Sequence, residues 1–260
     1  MSKRVTIHDI AREAGVSAAT VSYVINNTEG QSISEETKNK IWHIINMFNY
    51  KPNVFAKNLR SSDRKLIAVC TENRDYAEKA EFLNLLDGLA ASFSGNFDLI
   101  YSVAPFTRIT NADAIVAYNV TKETFYEIGN QNYIPLIAVN CLVEDKLFFQ
   151  VNPDYSKLKD VADGYFKDEY TFVCLTPADG ALKNLIENTF EKVIFADKLN
   201  KLQNLKGNVL VIHGLIAEVL KNAEVNVLYE NLYEPICKQT SDCILKALSR
   251  ETFNIHSYKV

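Results

Sequence analysis

Residues 5–25 read VTIHDIAREAGVSAATVSYVI, and this stretch decides the fold of the amino-terminal region. Thr6 and Ser17 stand where helix N-caps are expected, each ahead of apolar residues spaced three and four apart. Gly15 lies between the two helical patterns, where a residue able to adopt positive φ ends a helix. The pattern predicts two short helices joined by a tight turn, which is a helix-turn-helix.

A third helix is predicted after Ser34, which acts as its N-cap. Its expected buried stripe consists of Ile41, Ile44, Ile45 and Phe48. The first turn of the second helix carries the small residues Ala18 and Ala19, which would let the backbone approach base edges. Thr20, Ser22 and Tyr23 offer hydrogen bonds to bases or phosphates. This layout favours DNA binding over a plain three-helix bundle.

A short helix is predicted over residues 53–60, because Pro52 ends the third helix and Asn53 can cap a new one. Ala56 and Leu59 share one face, and Lys57 lies beside it. Eight residues are too few for a stable isolated helix. The segment is therefore either a plain linker or a hinge helix that forms on DNA and inserts Leu59 between base pairs from the minor groove.

The charge distribution separates a basic head from an acidic body. Residues 1–65 hold 10 Lys/Arg and 6 Asp/Glu, for a net charge of +4, whereas residues 66–260 hold 18 and 26, for −8. An anionic partner is therefore expected for the head alone. The five cysteines have no CxxC spacing and predict buried free thiols in a reducing compartment.

Residues 4–62 resemble the lactose/purine repressor family. The matching segments are 5–11, 14–17, 19–22, Asn26, 34–37, 49–53, and Ala56 with Leu59. The resemblance implies a bacterial repressor that binds a pseudo-palindromic operator as a homodimer. It implies base contacts from Ala18, Ala19 and Tyr23 and a minor-groove wedge at Leu59. It also implies phosphate contacts, at Thr6, Ser17, Thr20, Ser22 and Asn26.

The body alternates strand and helix patterns, which predicts parallel sheets with helices on both faces. Strands are expected at 66–70, 98–103, 113–117, 134–139, 148–151, 171–175, 192–195, 208–212 and 226–229. Helices are expected near 76–93, 121–130, 154–167, 178–188, 215–222 and 234–248. The resemblance implies a two-lobed domain like a periplasmic sugar-binding protein, with a small effector between the lobes.

This body departs from the family pattern. It is shorter, an Arg-x-x-Gly-Phe-like stretch is missing after Leu175, and His213-Gly214 stands where the family commonly has Asn-Asp. Simple sugars are therefore expected to bind weakly or not at all. Candidate effector contacts are the polar residues at predicted strand ends: Asn73, Asn119, Asn140 and Asp154. For each of them, a loop or cap role is the alternative.

Three domains are predicted: a helix-turn-helix domain at 1–50, a hinge helix and linker at 51–64, and a shortened α/β effector-binding and dimerisation domain at 65–260. The expected function is transcription regulation in the bacterial cytoplasm, at the nucleoid when DNA is bound. The alternatives are a small-molecule-binding module with a degenerate head and an antagonist that dimerises with a longer relative. Catalytic motifs, metal-ligand spacings and membrane segments are absent from the sequence, so no enzyme activity, cofactor, metal or membrane partner is expected.

Leu59→Ala tests the hinge hypothesis. The variant is expected to lose about 1–3 kcal/mol of binding free energy on a specific duplex, because the wedge is removed while Lys57 still contacts phosphate. Thermal stability and non-specific binding should barely change. Fluorescence anisotropy and a thermal melt provide the measurements. A melting temperature lowered by several degrees, with unaltered DNA bending, would instead make Leu59 a core residue of the body.

Overall fold

The computed structural model of the chain describes residues 6–25, 32–48, 64–72, 75–93, 97–109, 111–196, 198–249 and 254–260. The chain divides into two compact units, Met1–Ser62 and Asp63–Val260. The predicted hinge at 51–64 lies outside the described residues except for Arg64.

The first unit contains three helices, α1 (Ile7–Ala14), α2 (Ala18–Ile25) and α3 (Glu35–Met47). Their apolar faces meet in one core. Its fully buried members include Ile10, Val21 and Ile41. Gly15 has φ 70° and ends α1, and its N–H donates to carbonyls of the last turn. The helix-turn-helix prediction is confirmed.

The first helix begins as predicted, with Thr6 as its N-cap, whereas the end of the third helix differs from the prediction. Asp9 forms part of the α1 cap, because its Oδ2 accepts from both the backbone N (3.0 Å) and the hydroxyl (2.7 Å) of Thr6. Phe48 was predicted to belong to the buried stripe of α3, and this is wrong: its side chain is 40% exposed. Its backbone N–H still donates to the Ile44 carbonyl at 3.0 Å, but α3 ends at Met47, and at this helix end the side chain is not covered by the core.

The second unit contains two parallel sheets. The six-stranded sheet has the order β10-β5-β4-β3-β1-β2 and the four-stranded sheet has the order β7-β6-β8-β9. Their strands are β1 (Lys65–Thr71), β2 (Phe97–Val103), β3 (Ala114–Tyr118), β4 (Leu136–Val139), β5 (Phe149–Asn152), β6 (Tyr170–Cys174), β7 (Val193–Phe195), β8 (Gly207–Val211), β9 (Val225–Tyr229) and β10 (Ser257–Lys259).

Helices cover both faces of the sheets. They are α4 (Tyr76–Ser92), α5 (Lys122–Gln131), α6 (Tyr155–Phe166), α7 (Gly180–Thr189), α8 (Gly214–Leu220) and α9 (Tyr233–Ser249), with a 3₁₀ helix at Leu199–Asn204. Alternate residues of β1 show the two faces: Ile67 and Val69 pack with α4 and α9, whereas Ala68 and Cys70 pack with α5. This alternation follows from the two-residue period of a strand.

All nine predicted strands and all six predicted body helices are present, with ends shifted by no more than two residues. The 3₁₀ helix and β10 were not predicted. The three residues of β10 are too few to show a period, and they become a strand by pairing with β5 at the edge of the six-stranded sheet. All five cysteines are buried and free. Within the described residues, no helix is long and apolar enough to cross a membrane.

The contact between α4 and α9 is close at Gly88. A Cβ at this position would lie 2.5 Å from Cys237 Sγ. Gly88→Ala is therefore expected to lower the free energy of unfolding by about 1–3 kcal/mol through overpacking. In a Cys237→Ala background the same change should be neutral or stabilising by up to about 1 kcal/mol, because alanine favours a helix interior over glycine. Urea denaturation of the four proteins measures both effects, and an equal cost in both backgrounds would contradict the steric explanation.

Candidate nucleic-acid interface and cleft

One face of α2 points away from the core of the first unit. Val21 and Val24 are buried, so the opposite face carries Ala19 and, one turn later, Tyr23. Ala19 is exposed and Tyr23 is 38% exposed. Ala18 lies to the side, half-buried and packed against the core. This face therefore presents one small residue and one aromatic ring with a hydroxyl.

The hydroxyl groups at the start of α2 are held by local hydrogen bonds. Ser17 Oγ accepts from the backbone N of Thr20 at 3.0 Å and lies 2.9 Å from Thr20 Oγ1, with which it shares a second hydrogen bond. Ser22 is half-buried and Thr6 is exposed. The capping bonds fix where these polar groups lie relative to the outward face. The other predicted DNA contacts, Asn26, Asn53, Ala56, Lys57 and Leu59, lie outside the described residues.

The second unit contains a cavity of about 230 Å³. Residues from both sheets line it at the carboxyl ends of their strands: Thr71, Val103, Asn119, Asn140, Thr176 and His213. Strands of a parallel sheet end at the same edge, and ligands of such sheets bind outside that edge. The cavity therefore lies where the topology favours a ligand.

Two of the four predicted effector contacts meet in this cavity. Asn140 Nδ2 donates to Asn119 Oδ1 at 3.3 Å, and Asn119 Oδ1 also accepts from the backbone N of Ala178 at 3.0 Å. Both asparagines have positive φ, 47° and 55°, a conformation that asparagine tolerates better than most residues. Asn119 follows β3 and Ala178 follows β6, so this side chain links the two sheets.

A third predicted contact, Asp154, does not line the cavity. Asp154 precedes α6, and its Oδ1 accepts from the backbone N of Lys157 at 3.2 Å, which makes it the N-cap of that helix. Asn73 lies outside the described residues.

Sequence reasoning did not single out Glu81, a carboxylate in the wall of this cavity. Glu81 lies on α4 and is 1% exposed. Its Oε1 accepts from the backbone N of Leu215, at the start of α8, at 3.2 Å. Burial raises the pKa of this carboxyl, while the Leu215 N–H and the Asn84 amide act in the opposite direction. The sequence does contain a sign that this side chain is buried. Ala77, Glu81 and Leu85 are four residues apart, so Glu81 lies on the apolar face of the helix.

His213 closes another part of the cavity. It directly precedes α8, and its Nδ1 accepts from the backbone N of Leu175 at 3.4 Å. Burial lowers the pKa of this imidazole from 6.5 to about 4. Protonation would also place an N–H opposite the Leu175 donor, so the neutral ring is the form that fits.

Residues 6–53 match the family model of bacterial regulatory proteins of the lacI family. The amino-terminal region is a lacI-family helix-turn-helix domain. Catabolite control protein A of Staphylococcus aureus (strain Mu50) is 29% identical over 163 residues, which are 59% of this chain and 49% of that protein. The chain thus spans about half the length of the curated relatives it matches.

Solved structures share the fold of most or nearly all of the chain. The lac repressor dimer bound to operator and the anti-inducer ONPF aligns with a TM-score of 0.55 and 12% identity, over 99% of this chain and 96% of that one. A carbohydrate transporter from Acidothermus cellulolyticus 11B, in complex with myo-inositol, has a TM-score of 0.51 and 11% identity, over 76% of this chain and 91% of that one. The body therefore has the parallel-sheet α/β fold of lac repressor and periplasmic binding proteins, as predicted.

His213 generates a prediction for stability against pH. The unfolded chain binds a proton at this residue below about pH 6.5 and the folded chain only below about pH 4, so stability falls as the pH drops between these values, by roughly 2–3 kcal/mol. His213→Asn keeps an acceptor for Leu175 without a titrating group. Urea denaturation from pH 7.5 to 4 should show the two proteins alike near neutrality and the variant losing less stability in acid. If the stability of both proteins changed equally with pH across this range, His213 would not be the group responsible.

Proposed function

We propose that this protein is a DNA-binding transcription regulator of the lacI type, acting as a repressor on a pseudo-palindromic operator. The observation that carries the proposal is the outward face of α2, with Ala19 and Tyr23, within a segment that matches the lacI-family model. One relative, pepR1 of Lactobacillus delbrueckii subsp. lactis, is an HTH-type transcriptional regulator, which also supports a role other than catalysis. The acidic body leaves the basic head as the part suited to DNA.

In this mechanism α2 enters the major groove. Ala19 allows a close approach, and Tyr23 Oη contacts base edges or phosphate one turn later. Ser17, Thr20, Ser22 and Thr6 hold phosphates and set the register, with Asn26 beyond the helix. Residues 51–64 form the hinge, in which Asn53 caps a short helix, Lys57 contacts phosphate, and Ala56 and Leu59 face the minor groove. In this proposal residues 1–50 form the helix-turn-helix domain, and the hinge adds further DNA contacts.

A homodimer supplies the second half of the binding surface. One head presents a single eight-residue recognition helix, which is a small surface for discrimination, and two heads on a symmetric body match a palindromic site. The lac repressor, which shares this fold, is described as a dimer bound to operator. Residues 65–260 would provide dimerisation.

The cavity of the body is the candidate effector site. Its place at the carboxyl ends of parallel strands supports this role. The same cavity supports the alternative of a small-molecule-binding module whose DNA-binding head is degenerate. A transcription regulator binds a particular duplex sequence more tightly than others, whereas a module with a degenerate head has no such preference.

Selection from random duplexes tests the proposed function. The protein is expected to enrich a partly palindromic site and to run as a dimer in sedimentation. Tyr23→Ala should reduce the binding free energy on the selected site by about 1–3 kcal/mol. It should also weaken the base preference at one position of each half-site. Lys57→Ala should weaken binding to all duplexes alike. It should also reduce the slope of the logarithm of affinity against the logarithm of salt concentration by about one per head.

Trp42→Ala is the matched control, because Trp42 is another aromatic residue of the head, 42% exposed on α3. It should leave sequence preference unchanged. A monomeric protein with equal affinity for every duplex would exclude the proposed function and favour the degenerate-head alternative.

A further inference from the structure

Two hydrogen bonds fix which way the asparagine amides of the cavity face. The backbone N–H of Ala178 donates to Asn119 Oδ1, so the NH₂ group of Asn119 lies on the other side of that amide. Asn140 turns its Nδ2 to the same oxygen and keeps its own Oδ1 free. Asn119 Nδ2 and Asn140 Oδ1 have no hydrogen-bond partner among the described residues, and solvent reaches both atoms. The cavity therefore offers an amide donor and, on the neighbouring side chain, an amide acceptor.

His213 and Tyr118 add two more open polar groups to the cavity wall. His213 Nδ1 accepts from the backbone N of Leu175, so the proton of the neutral ring is on Nε2, which is a donor. Within the part of the chain that the structure describes, neither His213 Nε2 nor Tyr118 Oη is hydrogen-bonded, and solvent reaches both. Together with the asparagines, they present two donor nitrogens, one carbonyl oxygen and one hydroxyl, all of them neutral.

Aromatic rings form another part of the wall. Phe82 stacks on Tyr118 with ring centroids 6.0 Å apart, and meets Tyr101 edge-on at 6.1 Å. All three line the cavity. Aromatic pairs in such arrangements are stabilised beyond the area that they bury, so a ligand with a ring is favoured over an open chain of the same size. The volume of about 230 Å³ corresponds to roughly ten non-hydrogen atoms, since a cavity of about 150 Å³ holds benzene.

The open polar atoms select the polar group of the ligand. A carboxamide oxygen accepts two hydrogen bonds and its NH₂ group donates two, which matches the two donor nitrogens, the Asn140 oxygen and the Tyr118 hydroxyl. A carboxylate has no donor for Asn140 Oδ1. A sugar carries more hydroxyls than these groups pair with, and each buried hydroxyl without a partner lowers the affinity.

We propose that the cavity binds a small neutral aromatic carboxamide. Its carbonyl oxygen accepts from Asn119 Nδ2 and His213 Nε2, and its NH₂ group donates to Asn140 Oδ1. Its ring packs against Phe82 and Tyr101. This inference rests on the proposed effector role of the cavity and names the chemical class of the effector. It also agrees with the expectation that simple sugars bind weakly or not at all.

Probes of nearly equal size test the proposal by isothermal titration calorimetry on the full chain without DNA. Benzamide is the expected ligand, acetophenone lacks its N–H donors, benzoate replaces the amide by an anion, and cyclohexanecarboxamide lacks the aromatic ring. Benzamide is expected to bind at millimolar concentration or below. It should bind roughly tenfold more tightly than acetophenone or benzoate, because both leave Asn140 Oδ1 without a donor. It should bind about threefold or more tightly than cyclohexanecarboxamide, which loses the ring packing.

Asn119→Asp then locates the interaction. The variant keeps an oxygen for the Ala178 and Asn140 donors, tolerates positive φ as asparagine does, and exchanges the open donor for an acceptor. Its affinity for benzamide should fall by roughly tenfold or more. Benzamidinium has an NH₂ group in place of the carbonyl oxygen, so it should bind the variant more tightly than benzamide does, the reverse of the order in the unaltered protein. Asn184→Asp introduces the same charge on the exposed side of α7, away from the cavity, and should bind as the unaltered protein does.

The comparison of probes on the unaltered protein decides the proposal even where the variant is unstable. The proposal is overturned if benzamide does not bind, if any of the other three probes binds as tightly, or if benzamidinium binds the unaltered protein more tightly than benzamide. A folded Asn119→Asp protein with unchanged affinities would overturn it as well. None of these results bears on DNA recognition, because DNA is absent from the titration. Duplex selection decides that function separately.

Discussion

Parallel pairing of the strands is the constraint on which the rest of the body depends. Every strand pair of the two sheets is parallel. Successive strands must therefore be joined by crossover connections, most of which contain a helix, whereas those from β2 to β3 and from β4 to β5 have no helix among the described residues, and all strands of a sheet end at one edge. Asn119, Asn140, Thr176 and His213 belong to four segments far apart in sequence, and they meet because the strands before them end at the cavity.

The head and the cavity differ in how far the sequence predicts them. The candidate DNA-binding residues from Ala18 to Tyr23 lie on one helix, α2, and its start at Ser17 after the Gly15 turn and its apolar positions at Val21 and Val24 are local signals. Which residues face outward then follows from the helical period alone. Phe48 shows the limit of this reasoning, because the point where α3 ends decides its exposure and the period does not.

The cavity is assembled from non-local contacts, so the sequence predicts its residues only in part. Asn119 and Asn140, which were selected for their strand-end position, line the cavity, and Asp154, selected by the same rule, caps α6, the alternative role stated for it. Glu81 could not be assigned from its own segment: an acid in an apolar stripe is either a misplaced surface residue or a buried group with a distant partner. Leu215, 134 residues away, decides between these, and only the packing of α4 against the start of α8 brings the two together.

The contacts of Glu81 tie ligand binding to the geometry of the body. The six-stranded and four-stranded sheets are joined by Leu215 N to Glu81 Oε1, by Ala178 N to Asn119 Oδ1, and by Leu142 N to Asp179 Oδ2 at 2.9 Å. Two of these three bonds use side chains that line the cavity. A ligand in the cavity would therefore touch side chains that already join the sheets. An effector shifts a conformational equilibrium only by its differential affinity for the two states, and a ligand of this cavity has such a difference when the bond from Leu215 N to Glu81 Oε1 is intact in one state and broken in the other.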